Sequence, residues 1–308
     1  MAYHYLAFGI PIISEIELPA LFATDDCPSP EKNPVHVRLG TAPAELTAGG
    51  QYADRNAYCN ASEMIYTIAE KIRFYISNGN QVIIEPIAAD YTSNLIYFYS
   101  NGLAAVLYQR NLIPFHVSGV FTQPGKVALF AAPSGTGKST LAVKLQELGF
   151  QPFTDDTAVL FIKDGKCYAQ ASYPMIRLWE QTLDQQSLLD TADKQKIFDD
   201  GERDKFGFSF HSQFATTPVE VEKIIFLDKE GSEMRLSDIG SIAAFKALSD
   251  NVYRNHWIPL IQKSRLQFSL IGEILKNTPC FLALRAKNVN SISEFPEFIK
   301  KILQNVPN

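Results

Sequence analysis

An α/β fold with a phosphate-loop core, carrying a small mainly-β domain at its N-terminal side, is what the 308-residue sequence predicts. Three observations lead there. The run Ala132-Pro133-Ser134-Gly135-Thr136-Gly137-Lys138-Ser139 fits GxxxxGK[ST] with Ala in place of the first Gly. It stands between an apolar β-like run, VALFAA, and a segment of helical period, KSTLAVKLQELGF. Residues 1–95 mix short β-like runs with turn-rich segments such as CPSPEKNP and TAGGQYADRN, whereas residues 96–308 alternate strand-like and helix-like segments.

Taken in order, Tyr5 to Ile13, Val35 to Leu39 and Gln81 to Ile87 read as strands of the N-terminal domain. LIYFYSNGLAAVLYQRN has apolar residues on a helical period. HVSGVFTQPGKVALFAA reads as a hairpin around the Gln123-Pro124-Gly125-Lys126 turn. In the helix that follows, Leu141, Leu145 and Leu148 recur at i, i+4 and i+7, and Gly149 stands where a C-terminal cap belongs. FQPFTDDTAVLFI and CYAQASY read as strands joined by the tight turn Lys163-Asp164-Gly165-Lys166. The polar stretch from Asp190 to Lys205 is expected to be a mobile loop, and the Phe-rich FGFSFHSQF to be core and strand. VEKIIFLD and CFLALRA complete the strands; helices are expected at Ile242 to Tyr253, Leu266 to Leu275 and FPEFIKKIL.

Composition narrows the function classes. A hydrophobic fraction of 46% with 20% charged residues supplies a sizeable core and excludes disordered and collagen-like chains. The net charge of −5, with 28 basic residues scattered along the chain, argues against nucleic acid as a partner. The four cysteines, Cys27, Cys59, Cys167 and Cys280, show no metal-ligand spacing and read as reduced thiols of a cytoplasmic protein. The opening MAYHYLAFGIPIISEIELPALF lacks a basic n-region and is interrupted by Pro11, Glu15, Glu17 and Pro19, so neither a signal peptide nor a membrane partner is expected.

The loop residues carry the chemistry. Gly135 and Gly137 let the backbone curl so that successive N–H groups face one polyanion, and the helix N-terminus adds partial positive charge. Lys138 reaches the β and γ phosphates of a nucleotide, and the Ser139 hydroxyl completes a Mg²⁺ shell. The methyl group of Ala132 must point away from the loop. Asp155 and Asp156 come one helix and one strand later, where a β-α-β crossover would bring them beside the loop at the end of the neighbouring strand. Two acids suit two tasks, holding a metal and accepting a proton, but adjacent strand residues point oppositely, so both serve only if the strand ends or bends there.

The run HVSGVFTQPGKVALFAAPSGTGKSTLAVKLQELGFQPFTDDTAVL resembles the core of HPr kinase/phosphorylase, a bacterial serine-protein kinase. YPMIRLWE and the opening YLAFGIPIISEIELPAL resemble the shorter HPr-kinase-like proteins of peptide-modification clusters, among them kinases of lasso-peptide precursors. The resemblance implies a phosphoenolpyruvate-carboxykinase-like nucleotide fold with ATP on Ser134, Gly135, Thr136, Gly137, Lys138, Ser139 and Thr140. By position it makes Asp155 the catalytic carboxylate, Asp156 its companion at the metal, and His116 the histidine beside the γ-phosphate; the alternative for His116 is a buried histidine bonded to backbone. The downstream Glu followed by Arg-Gly-Leu-Gly of HPr kinases is absent, which removes the basis for expecting HPr as substrate or a reverse phosphorylase reaction.

Arg177 and Glu180 could contact phosphate or metal, or form a surface pair. Arg203 and Lys205 could close over the γ-phosphate, or be solvated loop charges. The leading expectation is an enzyme, a phosphotransferase with an alcohol acceptor that uses ATP and Mg²⁺ to phosphorylate a Ser hydroxyl of a peptide or small protein, including the C-terminal Ser of a lasso-peptide precursor. The alternatives are a kinase of a small hydroxylated metabolite such as free serine, and a non-catalytic nucleotide-gated binding protein. Assembly as a homo-oligomer is left open.

Overall fold

The computed structural model describes residues 2–27, 29–133, 135–179, 195–199, 204–229, 233–286 and 291–304. Ser134, Glu180 and Arg203, named above, lie outside them. The chain divides into two compact units, Met1–Pro114 with Tyr253–Phe268, and Phe115–Val252 with Ser269–Asn308. This division differs from a cut at residue 95, because the helical run 95–109 and the returning segment 253–268 group with the first sheet.

The first unit is a nine-stranded mixed sheet. Its strands are β1 (Tyr3–Ala7), β2 (Ile10–Ser14), β3 (Phe22–Ala23), β4 (Val35–Leu39), β5 (Gln51–Tyr52), β6 (Ala57–Cys59), β7 (Glu63–Ile68), β8 (Ile72–Ser77) and β9 (Gln81–Pro86), in the order β3-β1-β2-β4-β9-β8-β7-β6-β5. The run expected as one strand from Tyr5 to Ile13 is two, folded back at Phe8 and Gly9, whose φ angles are 52° and 69°. Those positive angles give the two-residue turn that matches strand twist, and Gly9 was its only polar-free signal inside an apolar run. Period-two burial places Ile72, Phe74 and Ile76 in the core. Over them lies the helical run ending in α1 (Leu103–Gln109), with the Phe98 ring tilted against that of Phe74 at 6.1 Å between centroids. Trp257 is wholly buried against Tyr66 and Tyr108, and its indole N–H donates to Asp54 Oδ2 at 3.1 Å.

The second unit begins with the expected hairpin, β10 (Val117–Gln123) and β11 (Lys126–Ala131), turned at Pro124-Gly125 with Gln123 opposite Lys126. Then come α2 (Lys138–Glu147), β12 (Pro152–Thr154), β13 (Ala158–Lys163) and β14 (Lys166–Ala171). Asp164 and Gly165 both have positive φ, the signature of the tight hairpin turn read from sequence. Helix α2 ends in a Schellman cap: Gly149, at φ 94°, donates to Gln146 O and Phe150 donates to Leu145 O.

The stretch expected as a mobile loop contains structure. Strands β15 (Met175–Trp179), β16 (Gln195–Asp199) and β17 (Asp204–Ser209) form a small antiparallel sheet in the order β15-β17-β16. Its polar composition hid the strands, but Phe206, Phe208 and Phe210 alternate inward with Ile176 against Val143 of α2, which is what the Phe-rich run was expected to do. The chain closes with β18 (Val219–Asp228), β19 (Arg235–Asp238), α3 (Ser241–Asp250), α4 (Ser264–Asn277), β20 (Cys280–Leu284) and α5 (Ser291–Gln304).

The main sheet runs β13-β14-β18-β11-β10-β12, with β20 alongside the later part of β18 and β19 beyond it. Strands β11, β18 and β20 are parallel. Their carboxyl ends therefore share one edge, the usual ligand edge of an open α/β sheet. The core on that side comprises Phe130, Ala132, Leu141, Leu145, Ile225 and Leu227 with Phe295 and Ile299 of α5. All four cysteines are free, and burial pushes the Cys59 and Cys167 thiols up to about 11, so they pack and do not react at neutral pH. Among the described residues no helix is long and apolar enough to cross a membrane.

Candidate active site

The loop leaves β11 at Ala131 and enters α2 at Lys138. Gly135 and Gly137 have φ of 79° and 103°, angles that an L side chain rarely adopts, so these two positions favour glycine. Thr136 N–H turns back onto Pro133 O at 3.3 Å, and Leu141 N–H onto Gly137 O at 2.9 Å, starting the helix. Ala132 is 2% exposed and belongs to the core, so its methyl group points inward, away from the loop. Lys138 is buried, and its Nζ donates to Ala132 O at 2.6 Å, folding the cation over the loop's own start.

The aspartate pair reaches the same edge by a route the sequence did not disclose. Strand β12 does not neighbour β11: it pairs antiparallel with β10, which pairs antiparallel with β11. β12 therefore runs in the same direction as β11, with β10 between them. Because β10 runs the other way, its beginning lies where β11 and β12 end. The register fixes this, with Val117 opposite Ala131 and Gly119 opposite Thr154. His116 stands just before Val117, between the loop on one flank and the aspartates on the other. The neighbouring-strand placement expected from a simple crossover is thus corrected by one strand, while the shared edge is kept.

Strand β12 ends at Thr154, so the condition for using both acids holds. Asp156 sits in the left-handed region at φ 73°, a conformation that costs a non-glycine residue and reverses the chain. Thr157 N–H donates to Asp155 O, and the Thr154 hydroxyl donates to Thr157 O at 2.8 Å, tying the reversal together. Asp155 is 2% exposed. The Asp156 carboxylate lies 3.7 Å from His116 Nδ1.

His116 is held at two atoms. Its backbone N–H donates to Asn251 O at 2.6 Å, and Nδ1 lies 2.8 Å from the Asp156 carbonyl oxygen. A carbonyl only accepts, so Nδ1 carries the proton, and in the neutral form of the ring the lone pair is on Nε2. Burial pushes the imidazole below its ordinary value of 6.5; Asp156 opposes this and the Lys138 charge reinforces it. The sign of the pH effect follows. Below 6.5 the unfolded chain binds a proton that the folded chain resists, so stability falls as pH drops from 6.5 toward the lower folded value. Urea midpoints for this protein are expected to fall from about pH 7.5 to about pH 5.5, and His116→Gln to reduce that fall. An equal fall in both proteins would remove His116 as the cause.

Of the remaining candidates, Arg177 and Lys205 fall in the small sheet. Arg177 pairs opposite Gly207, and Lys205 opposite Trp179. Sequence reading missed two residues that the fold brings to the loop. Asp228 ends β18 and Arg285 follows β20, and the Arg285 N–H donates to Asp228 O at 2.8 Å. The guanidinium Nη1 stands 3.5 Å from where a Cβ on Gly137 would lie. An acidic residue closing an apolar run, as in VEKIIFLD, was the available signal for the first; Arg285 carried none. Among the described residues there is no cluster of three or more His, Cys, Asp or Glu arranged for a metal.

No protein-family model matches the chain, and no curated protein matches it. Among solved structures, the HPr(Ser) kinase/phosphatase from Coxiella burnetii is similar over 62% of this chain and 94% of that chain, at 12% identity and a TM-score of 0.31. The reading of the site therefore rests on its own residues.

Proposed function

We propose that this chain is an ATP- and Mg²⁺-dependent serine kinase of the cytoplasm. In this reading it transfers the γ-phosphoryl group to a Ser hydroxyl of a peptide or small protein, the C-terminal Ser of a lasso-peptide precursor being the acceptor to test first. One observation carries it: a glycine-shaped anion loop with a buried lysine shares a sheet edge with a histidine and two carboxylates, brought there by β10 and β12. A receptor that only senses nucleotide has no use for a proton acceptor beside the γ-phosphate.

The roles follow from position. Loop amides from Ser134 to Thr140 and the Lys138 ammonium hold the phosphate chain. Asp155 accepts the proton of the attacking hydroxyl, while the bond from the γ-phosphorus to the leaving ADP oxygen breaks. His116, neutral and hydrogen-bonded through Nδ1 to the Asp156 carbonyl, offers Nε2 to the acceptor or to a protonated γ-oxygen. The donors suit a hard cation, since the Ser139 hydroxyl and the Asp156 carboxylate are oxygens and the left-handed backbone turns Asp156 to the His116 side. Mg²⁺ bound there would draw charge from the phosphate oxygens. Arg177, Glu180, Arg203 and Lys205 are candidates to neutralise the remaining transition-state charge.

Intact-mass analysis after incubation with Mg-ATP tests the proposal on three acceptors: a Ser-terminated precursor peptide, HPr and free serine. One added phosphate on a polypeptide supports it. Phosphate on free serine alone replaces it with a metabolite kinase. Tight nucleotide binding with no product on any acceptor favours the nucleotide-gated binding protein.

A further inference from the structure

An open, shallow cleft adjoins the loop, lined among others by Thr140 and Leu141 of α2, Leu227 and Asp228 of β18, Arg285 and Phe295. In the sheet order β18-β11-β10-β12 it sits on the β18 flank of the loop strand, whereas His116 and the aspartates sit on the β10 and β12 flank. A triphosphate is extended. If its γ end faces Asp155, its α end and whatever it carries must leave on the opposite flank, and there the cleft opens.

The lining has the chemistry of a nucleoside site. Leu141, Leu227 and Phe295 offer apolar faces to a base. The Asp228 carboxylate is exposed to the cleft, with Oδ1 accepting from Lys229 N–H at 2.7 Å. Oδ2 can accept from ribose hydroxyls. Arg285 is half-buried beside Gly137 and makes no ion pair or side-chain hydrogen bond among the described residues. Burial pushes its guanidinium below the ordinary value, a cost that a bound anion offsets.

We propose that this cleft is the nucleoside subsite of the loop, with Arg285 binding the non-transferred α-phosphate, Asp228 the ribose hydroxyls, and Leu141, Leu227 and Phe295 the base. This rests on the nucleotide reading above and deepens it.

Calorimetric titration with Mg²⁺ and three probes, ATP, 2′,3′-dideoxy-ATP and inorganic tripolyphosphate, separates the two. The wild-type protein is expected to bind ATP about tenfold or more tightly than tripolyphosphate. Arg285→Ala is expected to weaken ATP by about tenfold or more, Arg285→Lys by less, with unchanged thermal unfolding of the unliganded protein. Asp228→Asn should weaken ATP and leave tripolyphosphate and dideoxy-ATP nearly unaffected. Equal affinity for ATP and tripolyphosphate, with both Arg285 variants silent, overturns the subsite and leaves the loop reading standing. Binding of none of the three probes overturns both.

Discussion

Asp155→Asn is expected to abolish phosphoryl transfer while nucleotide still binds. The side chain keeps its size at a position only 2% exposed, so the fold is preserved, and what disappears is a basic oxygen. General-base removal alone costs about 10²–10⁴ in rate. Binding depends on loop amides and Lys138, which lie across β10 from Asp155 and are untouched. Single-turnover transfer to an acceptor established by mass analysis, beside an ATP titration of the same preparation, reads both quantities. Transfer at the wild-type rate would assign the base elsewhere, with Asp156 the next carboxylate to test.

Lys138→Ala is expected to act on the other quantity, weakening ATP binding by about ten- to a hundredfold or more. Each hydrogen bond from a charged donor is worth roughly 1.5–3 kcal/mol, and in the proposed role this ammonium would reach two phosphates. It also holds Ala132 O at 2.6 Å, so part of any change is structural. Lys138→Met keeps the aliphatic stem and separates the two: both variants should lose binding, and only the alanine should lower the melting temperature appreciably. Unchanged affinity in both would mean that the loop does not hold phosphate.

The features written in local sequence were readable from it. The two-residue turns at Pro124-Gly125 and Asp164-Gly165, the Gly149 cap and the loop itself each depend on a few neighbouring residues whose backbone preferences are strong. The seat of β12 beyond β10 was not readable, because strand order is a long-range matter and an antiparallel intruder leaves no mark on the residues it separates. The strands at Gln195–Asp199 and Asp204–Ser209 were masked by charge, although the Phe206, Phe208, Phe210 alternation gave half of the pair away. Arg285 was silent because nothing near it in sequence resembles a motif; only the parallel register of β18 and β20 carries it to Gly137.

Asp156 has a consequence for how such a chain evolves. A side chain held at φ 73° is a standing penalty, of the order of 1 kcal/mol, that glycine at the same place would relieve. Selection for thermal robustness alone therefore pushes this position toward glycine, and only selection for the carboxylate resists. On the proposed role of Asp156, a lineage that has lost the activity is free to drift there, so the aligned residue would serve as a marker, aspartate for copies still under functional constraint and glycine for those released from it.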